Sequence, residues 1–113
     1  GRNGRNGLTM SDFENEFEDE VQTKPRNEVR RPKRYRVLLH NDHYTSMDFV
    51  IMILESIFRK TSVQSVAIML TVLNSGLGIA GVYSASIAET RLKTVHQAAE
   101  KQGFPLKCSM EPE

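Results

Sequence analysis

Two helix-start signals, Thr45 with Asp48 and Thr61 with Gln64, lie sixteen residues apart, each in front of apolar residues at 3-4 spacing. In such a pair the hydroxyl accepts the amide three residues on, and the acid or amide side chain reaches back to the amide of the cap. Behind the first start, Met47, Val50, Ile51, Leu54, Ile57 and Phe58 trace one face of a helix expected to run to about Lys60. Behind the second, Val63, Val66, Ala67, Leu70 and Leu73 trace the face that a second helix is expected to bury. Ser75-Gly76 closes it, glycine being suited to the left-handed position past a helix end.

The flanking segments are strand-like. Residues 35–39 read as a strand bounded by the Asn41-Asp42 turn, and "GIAGVYS" (78–84) as a second. Ser84 is expected to cap a third helix, "ASIAETRLKTVHQAAEKQ", with the stripe Ile87, Leu92, Val95 and Ala99 and with Ala88 and Ala98 beside it. Gly103 ends that helix, and Pro105 prevents it from resuming. "FPLKCSM" then supplies the last strand, with Leu106 and Cys108 on one face and Lys107 on the other. The order β-α-α-β-α-β predicts an α+β fold, a small sandwich of a three-stranded antiparallel sheet and three helices.

Charge divides the chain. Six acids fall between Asp12 and Glu20, and seven Lys/Arg against one acid fall in 24–36, with only Phe13, Phe17, Val21 and Val29 available for burial over 11–32. That is too little apolar surface to offset the ordering of the chain, so residues 1–32 are expected to be a disordered N-terminal extension. "GRNGRNG" within residues 1–9 reads as an added spacer ahead of a natural start at Met10. Residues 33–113 are expected to be the folded domain, about 80 residues and enough for a core without staples.

These features exclude several functions. "RRPKRYR" lacks interleaved stacking aromatics and the net charge is only +1, so it reads as a solvated basic linker and no nucleic-acid partner is expected. No apolar run reaches membrane-spanning length and no signal peptide is present, so a cytoplasmic protein without membrane contact is expected. One cysteine, Cys108, excludes an internal disulfide, and no Cys/His spacing suits zinc. "GLGIAG" is followed by a strand rather than a helix, so it is not a dinucleotide-binding loop.

The stretch "LLHNDHYTSMDFV" concentrates the remaining chemistry. Asp42 and His43, with His40 as the third nearby ligand, invite a metal or an enzyme reading. No Ser or Cys lies in a nucleophile motif, and neither enzyme activity nor a metal or cofactor is expected. Cys108 reads as a packed small hydrophobe and His96 as a surface residue. Asn41 and Asp42 offer adjacent acceptor oxygens, which suit an ammonium or amide donors. Beside them Met47 and Val50 on the first helix, and Met69 and Val72 on the second, form two walls of an apolar slot. A peptide end carrying a positive charge and an apolar side chain fits such a site. Read blandly, the same residues make only a turn and a core, and both readings stay open on these grounds.

"RYRVLLHNDHYTSMDFVIMIL", "AIMLTVLNSGLGIAGVYSASIAETR" and "GFPLKCSMEPE" together resemble the bacterial ClpS adaptor family over about residues 32–111. The resemblance implies an adaptor that binds N-degrons and performs no chemistry itself. Its ligands are polypeptides with a free α-amino group and Leu, Phe, Tyr or Trp first, delivered to a ClpA- or ClpC-type AAA+ unfoldase. It implies that Asn41 and Asp42 accept hydrogen bonds from the α-ammonium. Thr45, Met47, Val50, Met69, Val72 and Leu106 would form the side-chain pocket, with Met69 as a gate against β-branched first residues. Glu89 and Arg91 would lie on the unfoldase-docking surface, and the tail before residue 32 would be engaged by the unfoldase. A monomer is expected.

Three positions depart from the family pattern. Leu73 stands where the family has a histidine contacting the ammonium, His43 where it has a second acid, and Ser46 where it has a proline at the helix start. His43 is nonetheless a candidate for the ammonium site, and Leu73 for the pocket. An alternative is a modulator that docks on the unfoldase with weakened or altered N-degron selectivity.

Overall fold

The central strand carries the most apolar run of the chain. β1 (Arg34–His40) contains Val37, Leu38 and Leu39, all buried, as befits a strand with neighbours on both edges. β2 (Leu77–Ser84) and β3 (Lys107–Pro112) flank it, both antiparallel, in the order β2-β1-β3. The structure, a computed structural model, describes residues 31–113. The expected extension 1–32, with its spacer, its acidic run and most of its basic linker, lies outside the described residues except for Arg31 and Pro32. Arg34 and Arg36 both lie on β1 and pair across the sheet, Arg34 with Glu113 just past β3 and Arg36 with Glu111 on it.

Three helices complete the expected β-α-α-β-α-β order: α1 (Met47–Ser56), α2 (Ser62–Ser75) and α3 (Ala85–Gln102). Val37 and Leu39 join a core built from Phe49, Ile53 and Leu54 of α1, Met69 and Val72 of α2, and Ala88, Val95 and Ala99 of α3. The alanines let α3 approach the sheet closely, and Phe104 closes the end of the core with its ring 5.0 Å from that of Phe49. Between Val37 and Leu38 the pairing with β2 shifts by one residue, a bulge that places Ala80 out of register and fully inside.

The second helix start is as expected: Thr61 Oγ1 accepts from Gln64 N, and Gln64 Oε1 accepts from Thr61 N. Thr61→Ala is expected to lower stability by about 1 kcal/mol, the usual worth of a hydroxyl cap. Urea unfolding checks this, and an unchanged midpoint would show that the cap contributes nothing.

Several expectations need correction. The first helix is capped by Ser46, whose Oγ accepts from Phe49 N, not by a Thr45–Asp48 box. The helix starts one residue later than expected, at Met47, so Ser46 holds the cap position and the Thr45 hydroxyl is turned back to donate to Asp42. α1 ends at Ser56 rather than near Lys60, since the chain turns through Arg59 at φ 56° to start α2 directly. Ser84 occupies the cap position of α3 but makes no side-chain cap bond, Ile87 is exposed rather than packed, and β3 begins at Lys107, not Phe104. The largest difference concerns α2. Its buried residues are Ser65, Met69 and Val72, so the expected core stripe faces outward.

Gly76 and Gly78 explain how α2 is seated. Gly76, at φ 84°, takes the left-handed position and returns its N–H to Val72 O. Gly78 lies where a Cβ would be 2.6 Å from Val72 Cγ2 and 3.4 Å from Ile68 O. Only a residue without a side chain lets α2 approach β2 this closely.

Candidate functional site

The Asn41–Asp42 turn lies where β1 ends and α2 stops. Asn41 N donates to Gly76 O at 3.0 Å, which ties the turn to the C-terminal end of α2. Asp42 organises the entry to α1. Its Oδ1 accepts from the amides of Tyr44 and Thr45, both at 2.7 Å, and its Oδ2 accepts from Thr45 Oγ1 at 2.8 Å. Burial pushes the Asp42 carboxyl up, but the Thr45 and Tyr44 amides, the Thr45 hydroxyl and nearby His43 together outweigh it and hold the group below its ordinary value. Most of its acceptor capacity serves the turn, and one lone-pair direction on Oδ2 remains. The Asn41 side chain, by contrast, is exposed and makes no hydrogen bond among the described residues.

The apolar candidates fall into two sets. Val50, Met69, Val72 and Leu106 are all buried and belong to the hydrophobic core that the helices share with the sheet. Met47 and Leu73 stand at the surface, 53% and 47% exposed, at the start of α1 and in the last turn of α2. Taken as a candidate pocket, these residues would give an apolar floor and a mixed rim, with half-buried Thr45 bound to Asp42. Sequence spacing put Met69 and Val72 on one face of α2, and the structure keeps them together.

His43 is exposed and makes no hydrogen bond among the described residues; its one traceable effect is to lower the Asp42 carboxyl. His40 Nε2 lies 2.7 Å from Ser109 Oγ, and burial followed by the charge of Lys107 lowers its pKa. No three His, Cys, Asp or Glu side chains converge as a metal site among the described residues. Cys108 is buried, and desolvation pushes its thiol up to about 12, the behaviour of a packed hydrophobe rather than a nucleophile. No helix among the described residues is long and apolar enough to cross a membrane.

Glu89 and Arg91 lie on α3. Glu89 is exposed; Arg91 is half-buried with its guanidinium 5.2 Å from the centre of the Tyr83 ring. His96 is exposed as expected, yet its Nε2 accepts from the amide of Cys108 at 3.2 Å and so covers a donor of edge strand β3. No sequence signal pointed to that bond. The role of Asp42 in the turn did have a signal, since an aspartate two residues before an exposed amide is the usual Asx-turn pattern.

The small antiparallel α+β domain, with its polar turn tied to the C-terminal end of α2, has counterparts among known proteins. One solved structure, a ClpS2 of Agrobacterium tumefaciens bound to L-phenylalaninamide, superposes with a TM-score of 0.71 at 37% identity, covering 74% of this chain and all of that one. The family model described as "ATP-dependent Clp protease adaptor protein ClpS" matches residues 30–109. The ATP-dependent Clp protease adapter protein ClpS of Desulfatibacillum aliphaticivorans is 50% identical over 104 residues, 92% of this chain and 100% of that protein. That of Desulfotalea psychrophila is 57% identical over 86 residues, 76% of this chain and 84% of its own. The chain belongs to the ClpS family of Clp protease adaptors.

Proposed function

We propose that this adaptor binds polypeptides by a free α-amino group and a bulky apolar first residue, and presents them to a ClpA- or ClpC-type AAA+ unfoldase. The observation that carries the reading is the bond from Asn41 to Gly76, which ties the polar turn to the end of the helix that carries Met69 and Val72. An ammonium leaving water needs charge and acceptors. Asp42 supplies the charge and its remaining lone pair, and the unpartnered Asn41 carbonyl supplies a neutral acceptor. Burying a Phe or Leu side chain on the floor adds about 1.5–3 kcal/mol. Thr45 acts indirectly, by holding the Asp42 carboxylate. Family likeness to a protein solved with L-phenylalaninamide supports the same ligand chemistry.

Fluorescence anisotropy with peptides beginning Leu, Phe, Tyr, Trp or Val, each beside its acetylated twin, tests the proposal. Free-amine Phe and Leu peptides are expected to bind at least about tenfold tighter than the acetylated forms, the worth of a charged hydrogen bond. Equal affinities would sink it. A pull-down with the N-terminal domain of a Clp unfoldase then tests docking through Glu89 and Arg91. Docking without amine selectivity would instead support the modulator reading, which is favoured by Leu73 and His43 leaving the ammonium few acceptors.

Affinity should also fall at high pH. A free α-amino group titrates at about 7.7–8.0, and pairing with a carboxylate raises that value in the complex. The charge contribution to binding is therefore complete below about pH 7.5 and lost as the pH rises through the bound value. A Kd that stays flat from pH 6 to 10 would show that the charge of the amine is not used.

A further inference from the structure

The outward face of α2 is a feature the site uses only at its Leu73 end. Val63, Val66, Leu70 and Leu73 recur at 3-4-3 spacing and are 80%, 40%, 45% and 47% exposed. The helix, SVQSVAIMLTVLNS, contains no charged residue over 14 positions, whereas α3 carries Glu89, Arg91, Lys93, Glu100 and Lys101. An exposed helix face in a small domain is normally the charged one, and a contiguous apolar patch there marks an interaction surface.

We propose that this stripe is a second subsite for the same polypeptide, taking uncharged apolar side chains a few residues behind its first. The inference rests on the N-terminal recognition proposed above. Three observations select this occupant. The stripe is continuous with the site: Leu73 lies three residues before Gly76, whose carbonyl holds the Asn41 turn. Leu73 and Val66 also stand only about 40° and 60° round the helix from Met69 on the floor. Its length fits, since ten residues of helix rise about 15 Å, the span of four or five residues of extended chain. Its chemistry fits as well, because a surface without charge offers nothing to an acidic or basic segment. A second copy of this chain is a poor occupant. Four such side chains make a patch of a few hundred Å², well below the roughly 800 Å² per partner of a standard interface.

Three peptides beginning with Phe test the subsite by anisotropy: a tripeptide, an octapeptide with Leu and Val at positions 3–6, and the same octapeptide with Ser and Gly there. The apolar octapeptide is expected to bind about five- to tenfold tighter than the Ser/Gly form. In a Val66→Gln/Leu70→Gln variant, which keeps helix-favouring residues, that advantage should vanish while tripeptide affinity stays unchanged. A tail advantage that is absent, or that survives the substitutions, overturns the proposal. So does a variant whose only altered property is self-association by sedimentation. If the tripeptide itself fails to bind, N-terminal recognition fails and the subsite falls with it. A bound tripeptide with no tail effect defeats the subsite alone.

Discussion

Asp42→Ala is expected to abolish measurable selectivity for free-amine peptides and to loosen the entry to α1, whereas Asp42→Asn should lose selectivity while keeping the fold. The difference follows from the three bonds made by the carboxylate. Alanine leaves the Tyr44 and Thr45 amides and the Thr45 hydroxyl without their acceptor. Asparagine keeps an Oδ1 for both amides, and its Nδ2 can donate to Thr45 Oγ1, so the turn survives without charge. Removing one charged partner costs about 1.5–3 kcal/mol, so Asp42→Asn should bind a Phe-first peptide at least about tenfold more weakly. Thermal unfolding would show the asparagine variant near wild type and the alanine variant below it. Full affinity in the asparagine variant would remove Asp42 from ammonium recognition and leave it a turn residue.

The same carboxylate sets an acid limit. Because its pKa in the folded chain lies below the ordinary value of 3.8, its stabilising bonds are complete above that value and are lost as the pH falls through the folded value. This acid-side loss is expected in the wild type and should be absent from Asp42→Asn.

Gly78→Ala is the second large effect, and it reaches the site through packing. The new Cβ would lie 2.6 Å from Val72 Cγ2 and 3.4 Å from Ile68 O. Valine is stiff at χ1 and the carbonyl belongs to helix backbone, so neither can swing aside. α2 must then back away from β2, an overpacking that costs about 1–3 kcal/mol. Val72 is part of the floor, so affinity for Phe-first peptides should fall together with the urea midpoint. Gly76→Ala is the control. It meets nothing within 4 Å and pays only for its left-handed φ, so stability should drop while affinity is retained in the folded protein. Wild-type stability in Gly78→Ala would show that the close seating of α2 is not needed.

Much of the candidate site is legible in residue types. Asn41 and Asp42 stand out because two acceptors precede a helix, and Val50, Met69 and Val72 because their spacing repeats along helices. Thr45 was misread as a helix cap. The helix begins one residue later, at Met47, so Ser46 takes the cap, and the Thr45 hydroxyl donates to Asp42 three residues before it. His96 was legible only as a polar helix residue, since the amide it accepts belongs to a strand twelve residues further on.

By itself the sequence determined the element order and the stops of α2 and α3. Gly76 and Gly103 end helices because left-handed backbone favours glycine, and residues 35–39 read as a strand, whose central place, with Val37, Leu38 and Leu39 all buried, came only from the pairing. Which side of α2 faces the core was settled only in three dimensions. With no charge on that helix, Val63-Val66-Leu70-Leu73 and Met69-Val72 compete as inward faces, and periodicity offers no polar contrast between them. The missing side chain of Gly78 decides it: β2 can accept Val72 closely, Met69 follows onto the floor of the site, and the longer apolar stripe is left facing outward.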